Sequence, residues 1–155
     1  LVDYVELSDV NTKSFEIINS SKLKVFELPS RATFELKEND IITSVAGNSI
    51  GSEKHITALV NDEFQGAICT NGFRVLRNPK IDLYYLLYFF STDMFLKQIK
   101  LYRTGAAIPT ISDKDFSNIL VYIPSENEIT EIGDKVRLAF DLRKQSKSIL
   151  NEIAI

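Results

Sequence analysis

The sequence predicts an α+β fold: a compact domain built on a mixed β-sheet with a helix pair, followed by a long C-terminal helix. Three observations carry this. Residues 1–76 break into short apolar segments separated by turn residues. Residues 82–101 change to helical spacing, with a strong N-cap residue at the start. Residues 125–155 open on a capping box and hold an apolar periodicity too long for a globular core.

Tyr4, Val5, Glu6 and Leu7 form the first expected strand. A second spans residues 23–28, where Leu23 and Val25 alternate with Lys24 and Phe26 until Pro29 interrupts. Thr33, Phe34, Glu35 and Leu36 precede a polar turn at residues 37–40. Residues 41–45 (IITSV) read as a buried strand, residues 46–51 as a glycine-bearing loop and residues 56–60 as the returning strand. Residues 66–76 (GAICTNGFRVL) read as a strand pair or one bulged strand, with Asn71 and Gly72 at the kink.

Asp82 is placed to N-cap a helix through Leu83, Leu86, Leu87 and Phe90, the spacing of an amphipathic helix. A second helix over residues 91–101 is expected to bury Met94, Phe95, Ile99 and Leu101. Residues 104–109 (TGAAIP) read as a loop. Ser112 with Asp115 opens a single helical turn, and residues 119–123 form a final strand stopped by Pro124. Ser125 with Glu128 caps the last helix. Ile129, Ile132, Val136, Ala139, Leu150 and Ile153 fall on a heptad-like seam that Arg143 and Ser146 interrupt, with Phe140 beside it. A helix of about 45 Å exceeds a small core and calls for a partner helix. The boundary between domain (1–124) and spacer helix (125–155) is placed at Pro124.

Composition narrows the function. The chain has 155 residues, 45% hydrophobic and 25% charged, as in an ordinary globular protein. Its net charge of −3 argues against a free-standing nucleic-acid binder. The charge is uneven, however: residues 71–111 hold 6 Lys/Arg against 2 Asp/Glu. Cys69 is the only cysteine and His55 the only histidine, so a zinc site of His and Cys ligands is excluded. The lone cysteine suits a reducing cytoplasm, and Cys69 reads as a small core residue. No apolar run approaches the roughly 20 residues of a membrane span.

Nucleophile elbow, phosphate loop and H-E-x-x-H are absent. Gly47 and Gly51 lack the Lys-Ser/Thr of a phosphate cradle and read as turn glycines. Asn78-Pro79-Lys80 lacks the second proline and aromatic of an adenine-methylase motif. Asp113 and Asp115 sit in a capping context without further metal ligands. No catalytic residue, metal site or cofactor is expected.

From Gly66 onward the order of elements becomes distinctive: a strand with Phe73, Arg74 and Val75; the helix pair DLYYLLYFFSTDMFLKQI; Gly105, Pro109, Ile111 and Ser112; then Pro124 before the long helix. This resembles the target-recognition domain of type I restriction-modification DNA specificity subunits. Residues 36–51 (LKENDIITSVAGNSIG) resemble the family's "l..GDil.s..G..G" segment, with Asn39 where Gly is usual, an exchange that suits a left-handed turn. Ser125 and Glu126 follow Pro124 where the family carries Pro and Leu, and Ile129 follows Glu128 where Gln is usual. Residues 10–35 resemble the family least.

The resemblance implies a non-enzymatic module that reads one half of a bipartite double-stranded DNA site. Its long helix would act as spacer and dock a methyltransferase subunit or domain, with a second recognition half or a homodimer as further partner. It implies Arg74, Arg77, Lys100, Arg103 and Thr104 at the DNA, and Asn48, Ser49 and Lys54 as base readers on the glycine loop. Ile129, Ile132, Val136, Phe140, Leu150 and Ile153 are the expected partner-helix interface. Two other classes stand beside this reading: a scaffold dimerising through the last helix, and a methyltransferase or nuclease using Asn78 and Pro79 or the Asp113/Asp115 pair.

Overall fold

The computed structural model describes residues 1–154. Among the described residues nine strands form two sheets. The four-stranded sheet runs β4 (Ser21–Leu23), β1 (Val2–Val5), β8 (Ile68–Thr70), β5 (Ala32–Glu35). The five-stranded sheet runs β2 (Val10–Asn11), β3 (Glu16–Ile17), β7 (Thr57–Leu59), β6 (Ile41–Ser44), β9 (Phe73–Leu76). The pairs β1/β8 and β3/β7 are parallel and the rest antiparallel, so the sheets are mixed.

The five-stranded sheet is the middle layer, because the side-chain period of two sends alternate residues to opposite cores. Ile42, Ala58 and Val60 join Val5, Leu36, Cys69 and Phe73 in a core facing the four-stranded sheet. Ile41, Val45 and Leu59 join Leu86, Phe90, Phe95 and Ile99 in a core facing the helices. Burial on both faces explains why residues 41–45 form an unbroken buried run rather than an alternation.

Residues 66–76 are two strands that part company: β8 lies in one sheet and β9 in the other, and Asn71 and Gly72 carry the chain between them. The turn before β6 needs a left-handed residue, and Asn39 supplies it at φ 70°. Asp82 caps α1 (Leu83–Phe89) by accepting from the Tyr84 and Tyr85 N–H groups at 3.0 and 2.9 Å. Thr92 caps α2 (Asp93–Tyr102), and Ser112 caps the short α3 (Asp113–Ser117).

Several expectations are corrected. The first strand ends at Val5, because Leu7 enters a 3-10 turn closed by Asp9 on the Glu6 N–H. The second stops at Leu23; Lys24 and Glu27 close a turn that leaves Val25 and Phe26 in solvent. Met94 and Leu101 are exposed, on the outer side of α2. Residues 119–123 are extended but form no strand, since they run beside helices instead of a sheet edge. The Gln98 side chain takes a strand neighbour's place, accepting from the Leu120 N–H at 2.8 Å and donating to its carbonyl at 2.9 Å. The hairpin of β2 and β3, turned at Phe15 (φ 57°), lies in the segment where no strand is expected.

The last helix, α4 (Glu126–Ile153), has 28 residues and the expected capping box of Ser125 and Glu128. Its heptad-like seam does not wait for a partner. Val136 and Phe140 pack into the helix-side core, and Ile129 and Ile132 are half-buried against the domain. Gly133 lets α4 cross the start of α1: a Cβ there would lie 2.4 Å from the Asp82 Oδ1. Arg143, the interruption in the seam, turns inward to the Ser14 carbonyl and Glu16, and Lys147 reaches Glu16 at 3.0 Å. Burial works to raise the Glu16 carboxyl, but the bond from Lys147 and the charges of Lys147 and Arg143 outweigh it and hold it below its usual value. Leu138, Leu142 and Ile149 face outward, and Leu150 and Ile153 are exposed as well.

Candidate nucleic-acid interface

Three chain segments meet at one end of the molecule. The loop after β6 turns at Gly47 (φ 111°) and Gly51 (φ 76°), as expected of turn glycines. Gly51 also permits close approach, since a Cβ there would lie 2.8 Å from the Lys100 backbone nitrogen and 3.1 Å from the Leu96 carbonyl. The loop therefore packs directly on the last turns of α2. The third segment, residues 104–110, doubles back on itself through paired Thr104 and Thr110 backbone bonds, both 2.8 Å. It docks on the glycine loop: the Gly47 N–H donates to the Pro109 carbonyl at 2.9 Å, and the Ile111 N–H to the Val45 carbonyl at 2.9 Å.

His55 pins the loop from below. Its ring is buried, edge-on to Phe95 at 5.3 Å. The Gly51 N–H donates to Nδ1 at 3.0 Å. Nδ1 is then an acceptor, so in the neutral ring Nε2 carries the proton and donates to the Thr43 Oγ1, 2.8 Å away. The Thr43 hydroxyl is left to donate to Thr57 at 2.9 Å. Burial pushes the imidazole pKa down to about 4, which keeps this tautomeric chain intact at neutral pH.

The expected DNA-contacting residues separate into two groups. Asn48, Ser49, Lys54, Lys100, Arg103 and Thr104 lie on the three converging segments, and Asn48, Lys54, Lys100 and Thr104 are exposed. Arg103 donates to the Ile50 carbonyl at 3.0 Å. Among the described residues, Lys54, Lys100 and Arg103 enter no ion pair.

Arg74 and Arg77 are engaged elsewhere. Arg77 forks onto Asp40 at 2.8 and 2.7 Å and reaches the Glu35 carbonyl, and the Asp40 carboxylate is only 1% exposed. The bonds it donates to Asp40 raise the guanidinium pKa further. Arg74 pairs with Asp113 and donates to the Asn71 and Phe73 carbonyls, tying β9 to α3. Residues 105–108, read from sequence only as a loop, are exposed beside the first group. Gly105 before Pro109 signals a turn there, but nothing local shows that it docks on a loop some sixty positions earlier.

The family model for the type I restriction modification DNA specificity domain matches residues 2–153. The chain belongs to this family. Two solved structures share the fold. One is reported with the structural basis of complex assembly and conformational transition of the type I R-M system: TM-score 0.74, 22% identity, covering 98% of this chain and 39% of that one. The other is the HsdS subunit from Thermoanaerobacter tengcongensis: TM-score 0.72, 23% identity, 97% and 38%. The specificity domain thus spans about two fifths of the length of these relatives. No curated protein matches the chain.

Within this specificity domain Cys69 is fully buried, and burial first, then Asp40, pushes its thiol up to about 12, so it stays protonated at neutral pH. Among the described residues no group of three or more His, Cys, Asp or Glu side chains is placed to hold a metal, and no helix is long and apolar enough to cross a membrane.

Proposed function

We propose that this specificity domain reads one half of a bipartite double-stranded DNA site, while a methyltransferase subunit or domain carries the chemistry. The observation that carries this is the convergence of cations without ion-pair partners among the described residues on one loop-built end. Lys54, Lys100 and Arg103 take phosphates, and Asn48, Ser49 and Thr104 are positioned beside them for base edges. Arg74 and Arg77 hold the scaffold. The net charge of −3 makes the domain a weak DNA binder alone, so affinity is completed by the assembly.

The long helix is the docking element for the partner: the methyltransferase, a second recognition half, or a second copy. Because the inner seam packs on the domain, the docking face is Leu138, Leu142 and Ile149, continued by Leu150 and Ile153. The same stripe supports a scaffold reading, in which the helix dimerises and no DNA is bound.

Duplex binding against salt separates the two, measured on the full-length protein assembled with a modification methyltransferase. DNA reading predicts a log–log slope of about −0.9 per phosphate engaged. A slope near zero leaves the scaffold.

A further inference from the structure

The proposed DNA end carries one feature its cations and polar side chains leave unused. Residues 104–110 form a small closed loop, five residues held by the single antiparallel bridge of Thr104 and Thr110. Gly105 holds φ 102°, and a Cβ there would lie 2.7 Å from the Ile108 carbonyl, so the tight turn requires glycine. Its exposed side chains are Ala106, Ala107 and Ile108, and Ile108 is 65% exposed. A large apolar side chain is thus presented to solvent on a closed loop tied at Gly47 and Val45 to the rest of the fold. Arg103 precedes it in the chain, and Lys54 and Lys100 belong to the glycine loop it docks on and to the helix end that this loop packs against. These cations are complementary to a polyanion and not to an apolar protein groove.

We propose that this tip enters the major groove and that Ile108 reads the 5-methyl group of a thymine. The inference rests on the DNA-reading function above. At the bridge its two limbs lie about 4.8 Å apart before side chains are added, so the loop suits a major groove about 12 Å wide and not a minor groove about 6 Å wide. An apolar side chain in the major groove discriminates thymine by its methyl, the one apolar group on a base edge there. The flanking cations set the depth and register of the tip by holding phosphates on either side.

The test begins with the assembled full-length protein selecting from a random-sequence duplex library. Each thymine of the enriched duplex is then replaced by deoxyuridine, which removes only the methyl. At one position the replacement weakens the wild-type protein about fourfold, the worth of one buried methyl. Ile108→Ala binds the two duplexes equally and, the side chain being exposed, melts at the wild-type temperature. If no thymine is methyl-sensitive, or if Ile108→Ala keeps the full deoxyuridine penalty, Ile108 is not the reader. DNA reading survives that result provided Lys54→Ala with Lys100→Ala lowers the salt slope. A library that yields no enriched sequence, with a salt slope unmoved by those lysines, overturns the DNA-reading function itself.

Discussion

Residues 71–111 carry the same charge type in two different employments. Arg74 and Arg77 are anchored to Asp113 and Asp40 and brace the sheets. Lys100 and Arg103, some thirty positions on, leave α2 at the loop end without an ion-pair partner, joined there by Lys54. The difference teaches that a basic stretch is not an interface. A buried carboxylate such as Asp40 must be paired, and the nearest arginine is consumed in pairing it. Only the remaining cations are available to a ligand.

Four measurements break or sharpen this contrast. The largest effect concerns the loop that carries Lys54. His55 has a folded pKa of about 4 against 6.5 unfolded, so the folded state binds fewer protons between those values. Its stabilisation is complete above pH 6.5 and is lost as pH falls through about 4, amounting to about 3 kcal/mol. Urea midpoints followed from pH 7 to 4 are expected to fall more steeply for the wild type than for His55→Gln. Parallel curves would mean that the imidazole does not hold the loop.

Next comes Arg77→Ala, which strands Asp40. A loss of about 2 kcal/mol is expected in chemical denaturation, below the 3–5 of a fully buried pair because Arg77 is 39% exposed. The salt slope of duplex binding is expected to stay unchanged. Gly133→Ala probes the helix away from both groups. Better helix propensity is outweighed by a Cβ pressing on the Asp82 cap, and a net loss of about 1 kcal/mol is expected from melting curves. The smallest change in stability is predicted for Lys100→Ala, within about 0.5 kcal/mol. A larger loss would place Lys100 with the bracing arginines.

Much of this was legible from the residues, and the failures share a cause. Asp82, Ser112 and Ser125 announce helix starts because capping is local, satisfied within three residues. Asn39, Gly47 and Gly51 announce turns for the same reason. Residues 119–123 carry strand propensity, yet their pairing partner is the side chain of Gln98, a tertiary choice invisible in the local pattern. The seam of α4 shows a real period; which face the domain claims depends on Gly133 and on Arg143 meeting Glu16, more than a hundred positions away in the chain. The site divides likewise. Charge type picks out Lys54, Lys100 and Arg103 together with Arg74 and Arg77, and only the positions of Asp113 and Asp40 tell them apart.

The central claim is that Lys54, Lys100 and Arg103 face DNA and that Arg74 and Arg77 do not. It is tested most directly by the salt dependence of duplex binding in the assembled protein, comparing the alanine triple at 54, 100 and 103 with Arg74→Ala. The triple is expected to flatten the log–log slope by nearly three, at about 0.9 per phosphate, while Arg74→Ala leaves it at the wild-type value. A slope unmoved by the triple and flattened by Arg74→Ala would contradict the claim.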